Sequence, residues 1–258
     1  MGAIDVHRGE QSEPALAIAV SAELRYHHFS IRMHRQRRLA LFTAVNIDGT
    51  QPVRPPRESD KWILDPRLSA DEQVGEGLYV GNDLDRGHLV RRLDPAWGAM
   101  SKAANDDTFH FTNCTPQHHL FNAGSTLWLG LEDYVLNNAA NHRLAVSVFT
   151  GPVLAADDSI YRDVALPRQF WKMIAMVKQD GRLSVTAYLL SQAELLDEFR
   201  TGKEGFAFGQ YRTFQVPVRR IGDLTGLVVT PYVAADPLEQ LESFALPREI
   251  LRAADLVL

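Results

Sequence analysis

The sequence predicts an α+β fold built round a mixed central β-sheet, on three observations. Tyr26–Arg35 alternates polar and apolar residues with the period of a half-buried strand, and Arg38–Asn46 does so again. The second half carries three apolar runs, 144–150, 170–177 and 183–190, dense enough for buried central strands. Helical spacing is confined to shorter stretches, at 102–108, from near Ser125, and at 221–227. A chain of 258 residues suits one large domain.

Taken in order, residues 1–22 are polar and then Ala-rich and form a loose or partly helical lead-in, leaving 23–258 as a single domain. After the first two strands, Ile47–Gln51 is a turn. Arg32, Arg35, Arg37 and Arg38 fit either a solvated face or a phosphate-binding one. Residues 51–76 hold Pro52, Pro55, Pro56 and Pro66 and few periodic apolar positions. They read as a long loop, of a length that is often functional. Leu78–Asn82 is strand edge and turn, and 102–108 a short helix or turn. Phe109–Asn113 alternates like a strand that ends at Asn113, and Pro116 stops it by restricting the residue before. From near Ser125 a helix places Leu127, Trp128, Leu131 and Val135 on one stripe. Tyr211–Val218 is a further strand leading into the 221–227 helix-turn, and short helical pieces follow Pro237.

Composition bounds the function. The 45% hydrophobic and 23% charged content is that of a soluble globular protein. No apolar run approaches the roughly 18 residues needed to span a bilayer, so no membrane partner is expected. Ala15–Val20 is too short for a signal core, and Glu10 and Glu13 precede it where cations belong. The chain reads as cytoplasmic as given, or as part of a larger or processed protein. Its single cysteine, Cys114, rules out an internal disulfide and is either a nucleophile or a small buried hydrophobe. A net charge of −5 argues against a polyanion partner, although residues 25–67 hold nine Lys/Arg against four Asp/Glu.

The chemistry concentrates in one stretch. Asp85-Arg-Gly-His88 is followed by Thr112-Asn-Cys-Thr-Pro-Gln-His-His-Leu-Phe-Asn122 and then Trp128-Leu-Gly-Leu-Glu-Asp133. A histidine can take a proton from water near neutral pH. Arginines hold phosphate oxygens in a planar fork. An asparagine carbonyl and a carboxylate are the hard oxygen donors that Mg²⁺ prefers. Together these residue types point to attack on a phosphodiester. His118 and His119, with His88, His110 and Cys114, also offer donors for zinc, but no His-Glu-x-x-His or Cys-x-x-Cys spacing occurs. A glycine-rich phosphate loop and Gly-x-Ser-x-Gly are both missing.

The three pieces resemble the DNA/RNA non-specific endonuclease family, the endonuclease G-like branch of the ββα-metal (His-Me finger) nucleases. Its signature is Asp-Arg-Gly-His, then Asn-x-x-Pro-Gln…Asn, then Trp-x-x-Leu-Glu, and the order here is the same. The resemblance implies a ββα-metal finger at about 78–141. It implies His88 as general base, against a plain turn histidine, and Asn122 as direct ligand of one Mg²⁺ or Mn²⁺ per site, against a helix cap. Glu132 would hold the ion through water, or be a surface carboxylate. Asn113 would hold the loop or the metal waters, and Arg86 would face the phosphate or hold the site together. Arg91 and Arg92 would touch neighbouring phosphates or lie solvated. The cation at the scissile phosphate would be Arg57 or Lys61, near Trp62-Ile-Leu-Asp-Pro66, with Arg57 favoured. Ten residues separate Asn122 from Glu132 where the family has eight, and Leu136 stands where it has a further arginine. The implied activity is metal-dependent, sequence-non-specific cleavage of DNA and RNA leaving 5′-phosphates. The alternative is a nucleic-acid-binding or regulatory protein of the same fold that cleaves feebly. A homodimer, an inhibitor protein and a fused domain are the partners the resemblance leaves open.

Overall fold

Twelve strands run through the computed structural model, which describes residues 20–58, 60–119, 135–137, 139–178, 180–193, 196, 212–239 and 248–249. In chain order they are β1 (Leu24–Arg25), β2 (Phe29–His34), β3 (Leu39–Asp48), β4 (Leu84–His88), β5 (Cys114–His118), β6 (Ala145–Val153), β7 (Ile160–Tyr161), β8 (Val164–Ala165), β9 (Gln169–Val177), β10 (Leu183–Ser191), β11 (Arg212–Val216) and β12 (Arg248–Glu249). Eight make one sheet in the order β1-β2-β3-β6-β9-β10-β11-β12, and β4-β5 and β7-β8 are separate ribbons. The α+β class stands. The sheet, expected to be mixed, is antiparallel at each of its pairings. Its sequence neighbours β2–β3 and β9–β10 are joined by short returns, which antiparallel partners permit and parallel ones do not.

Both faces of the sheet are covered, which is why its central strands read as continuous apolar runs rather than alternating ones. On β9, Phe170 and Ile174 face a core shared with Ile31, Met33, Val148, Val135 and Ala139. Trp171, Met173 and Ala175 face the other way, against Val218, Ile221, Val229 and Tyr232. The second face is thus closed by the helices Val218–Thr225 and Thr230–Val233. The first is closed in part by helical residues 135–137 and 139–142. Val20 already bridges His34, so the sheet begins inside the expected lead-in, whose residues 1–19 lie outside the described residues.

The β4–β5 ribbon stands off this sheet on a third apolar cluster that includes Leu78, Tyr79, Leu84, Phe111 and Cys114. Two local expectations change here. Leu78–Asn82, expected as strand edge and turn, is the end of a 3₁₀ turn followed by further turn, and the Asp-Arg-Gly-His signature after it lies in strand β4. The strand expected over Phe109–Asn113 is a 3₁₀ turn at Phe111–Asn113, with β5 starting at Cys114 and running through Pro116. Pro116 is tolerated because its carbonyl points away from β4, where Gln192 Nε2 donates to it at 3.2 Å. The missing N–H is therefore on the ribbon's outer side, where the ladder needs no donor. The long loop at 51–76 is as expected, with 3₁₀ turns at Ala70–Glu72 and Glu76–Leu78. So is the short helix, at Ser101–Asp107.

Candidate active site

His88 ends β4, paired across the ribbon with Cys114. Its ring is walled by Trp62, centroids 4.7 Å apart, and by the edge of Phe109 at 5.1 Å. Trp62 reaches it because the loop is stitched to the ribbon's base. Ile63 N–H donates to Phe109 O at 3.1 Å and Phe111 N–H donates to Ile63 O at 2.9 Å. A little further on, buried Asp65 accepts from Tyr26 Oη and from Arg67 Nε and N–H, both at 2.9 Å. Burial pushes that carboxyl up, but these donors hold it down at about 2. Gln73 completes the anchor, accepting from Asp65 N–H at 2.8 Å and donating to Asp65 O at 2.9 Å.

The enclosure decides the protonation of His88. Burial disfavours the imidazolium and, with Arg57 and Arg92 acting the same way against Asp60, takes its pKa down to about 4. Nε2 is enclosed and has no hydrogen-bond partner among the described residues. The ring is therefore neutral near pH 7, with that nitrogen uncommitted. An enclosed polar atom left unpaired is costly and is expected at sites of chemistry.

Past Phe109 opens a cleft of about 380 Å³ lined by Arg57, Lys61, Arg92 and Lys102 together with Glu58 and Asp106. Arg57 is held by Asp60, through Nε to Oδ1 at 3.1 Å and through Nη2 to Oδ2. Arg92 Nη1 donates to Pro55 O at 3.4 Å. Lys102 pairs with Asp106 at 2.9 Å and Glu58 at 3.5 Å. Among the described residues Lys61 and Arg92 form no ion pair, so their charges face the cleft.

The other expected site residues divide. Arg86 lies on the ring of Tyr79, 5.5 Å from its centroid, and both Nε and Nη2 donate to Glu76, which fits holding the site together. Asn113 is fully buried and its amide is used up: Oδ1 accepts from Val90 N–H, and Nδ2 donates to Val90 O and Thr108 O, each at 2.9 Å. Its carbonyl accepts Leu89 N–H at 2.9 Å, so this one residue fixes the chain as it leaves His88. Arg91 is half-buried beside Arg92. Asn122 and Glu132, the expected holders of the ion, lie outside the described residues. Leu136 packs on the apolar core.

Cys114 is buried, bonded to Tyr79 Oη at 3.4 Å, and burial pushes its thiol up to about 12, which removes the nucleophile reading. The five donors weighed for zinc do not assemble as one set, although His118 and His119 lie side by side. His110 Nδ1 is spent on Asp107 O at 2.8 Å, and His118 pairs with Leu84 at the opposite end of the ribbon from His88. Arg32, Arg35, Arg37 and Arg38 are engaged in the structure, with Ser21 O, Glu72, Asp158 and Asp163 O respectively.

Sequence reasoning missed Asp60, Phe109 and Gln192, and quoted Trp62 and Gln117 within motifs without giving either a role. Gln117 explains the glycine of the signature: a Cβ on Gly87 would lie 2.0 Å from Gln117 Cδ, because that side chain lies across the ribbon over it. Gln192, fully buried at the end of β10, ties the ribbon to the sheet. Its Oε1 accepts His118 N–H at 3.0 Å, and its Nε2 donates to Pro116 O and to Pro167 O at 2.7 Å. The only sequence signal for these residues is their nearness to the motifs, and Gln192 lacks even that.

A neutral, enclosed imidazole on a two-stranded ribbon thus lies against Phe109, whose ring also lines a cleft where Lys61 and Arg92 form no ion pair among the described residues. The model of the DNA/RNA non-specific endonuclease family matches residues 10–236, and the chain belongs to that family. It is 39% identical over 251 residues to the uncharacterized protein y4fB of Sinorhizobium fredii, covering 90% of this chain and 37% of that protein. It is 27% identical over 205 residues to the mitochondrial endonuclease G of Homo sapiens, covering 73% and 64% respectively. The chain thus spans between about a third and two-thirds of the length of these relatives. The same fold occurs in the crystal structure of the EndoG/EndoGI complex, with a TM-score of 0.62 and 18% identity over 81% of this chain and 86% of that one.

Proposed function

We propose that this chain hydrolyses phosphodiester bonds within DNA and RNA, without sequence preference, and leaves 5′-phosphates. The observation that carries the reading is the enclosed, unpartnered Nε2 of a neutral His88 beside a cleft with free cations. His88 takes a proton from water at its ring nitrogen as the water oxygen bonds to phosphorus and the bond to the 3′ oxygen breaks in line. Arg57, aimed by Asp60, together with Arg92 and Lys61, holds the phosphate oxygens and meets the charge that grows on them. Arg57 is favoured over Lys61 at the scissile phosphate because its charge acts on His88. Asn113 and Arg86 act on position, through the backbone after His88 and through the 76–78 turn.

The family resemblance calls for one Mg²⁺ or Mn²⁺ per site, with Asn122 as direct ligand and Glu132 acting through water. Their amide and carboxylate oxygens are the hard donors such ions take, and the soft donor on the ribbon, Cys114, is buried and already bonded to Tyr79. When bound, the ion supplies positive charge at the phosphate and acidifies a water beside the departing 3′ oxygen.

Cleavage of plasmid DNA and of RNA, followed with Mg²⁺, with Mn²⁺ and with chelator, tests the proposal. Cutting that requires the ion and falls at least about 100-fold in His88→Ala supports it. The second reading, a binding protein that cuts feebly, draws on Leu136 being packed in the core where a cation was expected. Retained binding with ion-independent or undetectable cutting in the unmodified chain favours it. The solved complex pairs EndoG with EndoGI; a protein inhibitor of this chain, a fused domain and a homodimer are proposals of the same standing.

A further inference from the structure

The ribbon carries a second cluster of donors at the end remote from His88. Asp83, His118 and His119 each point one ligand atom into a common space, and these atoms all lie within 4.8 Å of one another. His119 Nδ1 is 4.0 Å from Asp83 Oδ1, and the two imidazoles face each other with ring centroids 4.8 Å apart. Four ladder steps separate the Leu84–His118 pair from the His88–Cys114 pair, a distance of about 13 Å. The cluster therefore lies apart from His88.

Its backbone is fixed before any ligand arrives. His119 N–H donates to Asp83 O at 2.8 Å, which holds two of the three residues opposite each other. His118 N–H is held by Gln192 Oε1 at 3.0 Å. The turn that presents Asp83 is closed by Asn82, whose Oδ1 accepts Leu84 N–H at 2.9 Å and whose Nδ2 donates to Leu78 O at 2.7 Å. One imidazole is buried, whereas His119 and Asp83 keep 46% and 67% of their side chains exposed, so the space has a lined floor and an open mouth.

We infer that Asp83, His118 and His119 form an accessory site for a borderline transition-metal ion, Zn²⁺ or one of its neighbours, separate from the Mg²⁺-type chemistry at His88. Two imidazoles and a carboxylate are a donor set that zinc, nickel and copper take and magnesium declines. Three protein ligands leave a further position for water, the count found at open zinc sites. An ion here joins the turn before β4 to the end of β5.

The test uses the untagged full chain, titrated with Zn²⁺ by calorimetry and with Co²⁺ by visible absorption, in excess Mg²⁺. The expected result is one ion per chain, a Co²⁺ spectrum that Zn²⁺ displaces, and a Tm that climbs with zinc by about 5 °C at 100-fold over Kd. Asp83→Ala and His119→Ala change exposed side chains, and each should weaken zinc at least 10-fold while the metal-free Tm stays near that of the parent. His88→Ala should bind zinc as the parent does. Zinc binding that survives both cluster variants overturns the inference. So does loss of binding in His88→Ala, displacement of Zn²⁺ by millimolar Mg²⁺, or the absence of zinc binding tighter than about 10 μM.

Discussion

His88, the proposed base, is also a ring with an enclosed nitrogen, and its pKa shows the tension. Above pH 6.5 the ring is neutral in both the folded and the unfolded chain. As pH falls from 6.5 toward 4 the unfolded chain takes up a proton that the folded chain refuses, so stability drops on the acid side. For a shift of this size the loss is of order 3 kcal/mol. Urea unfolding at pH 7.5 and at pH 4.5 should therefore differ less in His88→Ala than in the parent. The same displacement sets the acid limb of activity. Since kcat/KM reports groups of the free enzyme, its acid limb should lie well below the pH of an ordinary histidine. Trp62→Ala readmits water and weakens the main cause of the shift, so the limb should move up by at least about one pH unit. A limb that stays put in that variant rejects Trp62 as the wall that matters.

The ribbon must be held rigidly against the sheet if His88 is to keep a fixed aim, and two glutamines do this. Gln117 fills the space over Gly87, so Gly87→Ala should cost about 1–3 kcal/mol, and Gln117→Ala in the same chain should restore most of it. Gln192 satisfies an N–H and two carbonyls in the interior. Gln192→Leu leaves all three unpaired, for a loss of roughly 2–4 kcal/mol by thermal unfolding, together with reduced kcat as the ribbon loosens. If kcat is kept while Tm falls, Gln192 serves stability alone. The signature residues were legible in the sequence because chemistry dictates their types, and the sheet strands because burial on both faces makes them apolar throughout. Pro116 misled because its effect depends on which side of the ribbon its nitrogen faces, which register alone decides. Asp60, Gln192 and the part Trp62 plays as a wall were illegible for a related reason: each acts through a contact made only once the loop or strand end has folded onto the ribbon. The glycine of the signature was legible, but its cause, a glutamine thirty residues later, was not.

At the scale of the whole molecule, the proposed function requires an acidic chain to attract a polyanion. Folding weakens the excess of cations over residues 25–67 as a field, because five of the nine are paired among the described residues: Arg25, Arg35, Arg57 and Arg67 with Glu23, Glu72, Asp60 and Asp65, and Arg37 with Asp158. Of the four cations lining the cleft, Arg57 and Lys102 are also paired, which leaves Lys61 and Arg92 to displace counterions from the phosphates. Each neutralised phosphate of duplex DNA contributes about −0.9 to the slope of log K against log salt. Two free cations predict a slope near −2, shallow for a nucleic-acid binder and consistent with a net charge of −5. The measurement is equilibrium binding of short duplexes to His88→Ala, which avoids cleavage, across a range of salt. Lys61→Ala in that background should flatten the slope by about 1 and weaken all sequences alike, as loss of a phosphate contact does. A slope of −5 or steeper means that further cations reach the nucleic acid from outside the cleft. A slope that ignores Lys61 takes this residue off the path of the substrate and leaves the contact to the other cations of the cleft, Arg92 first.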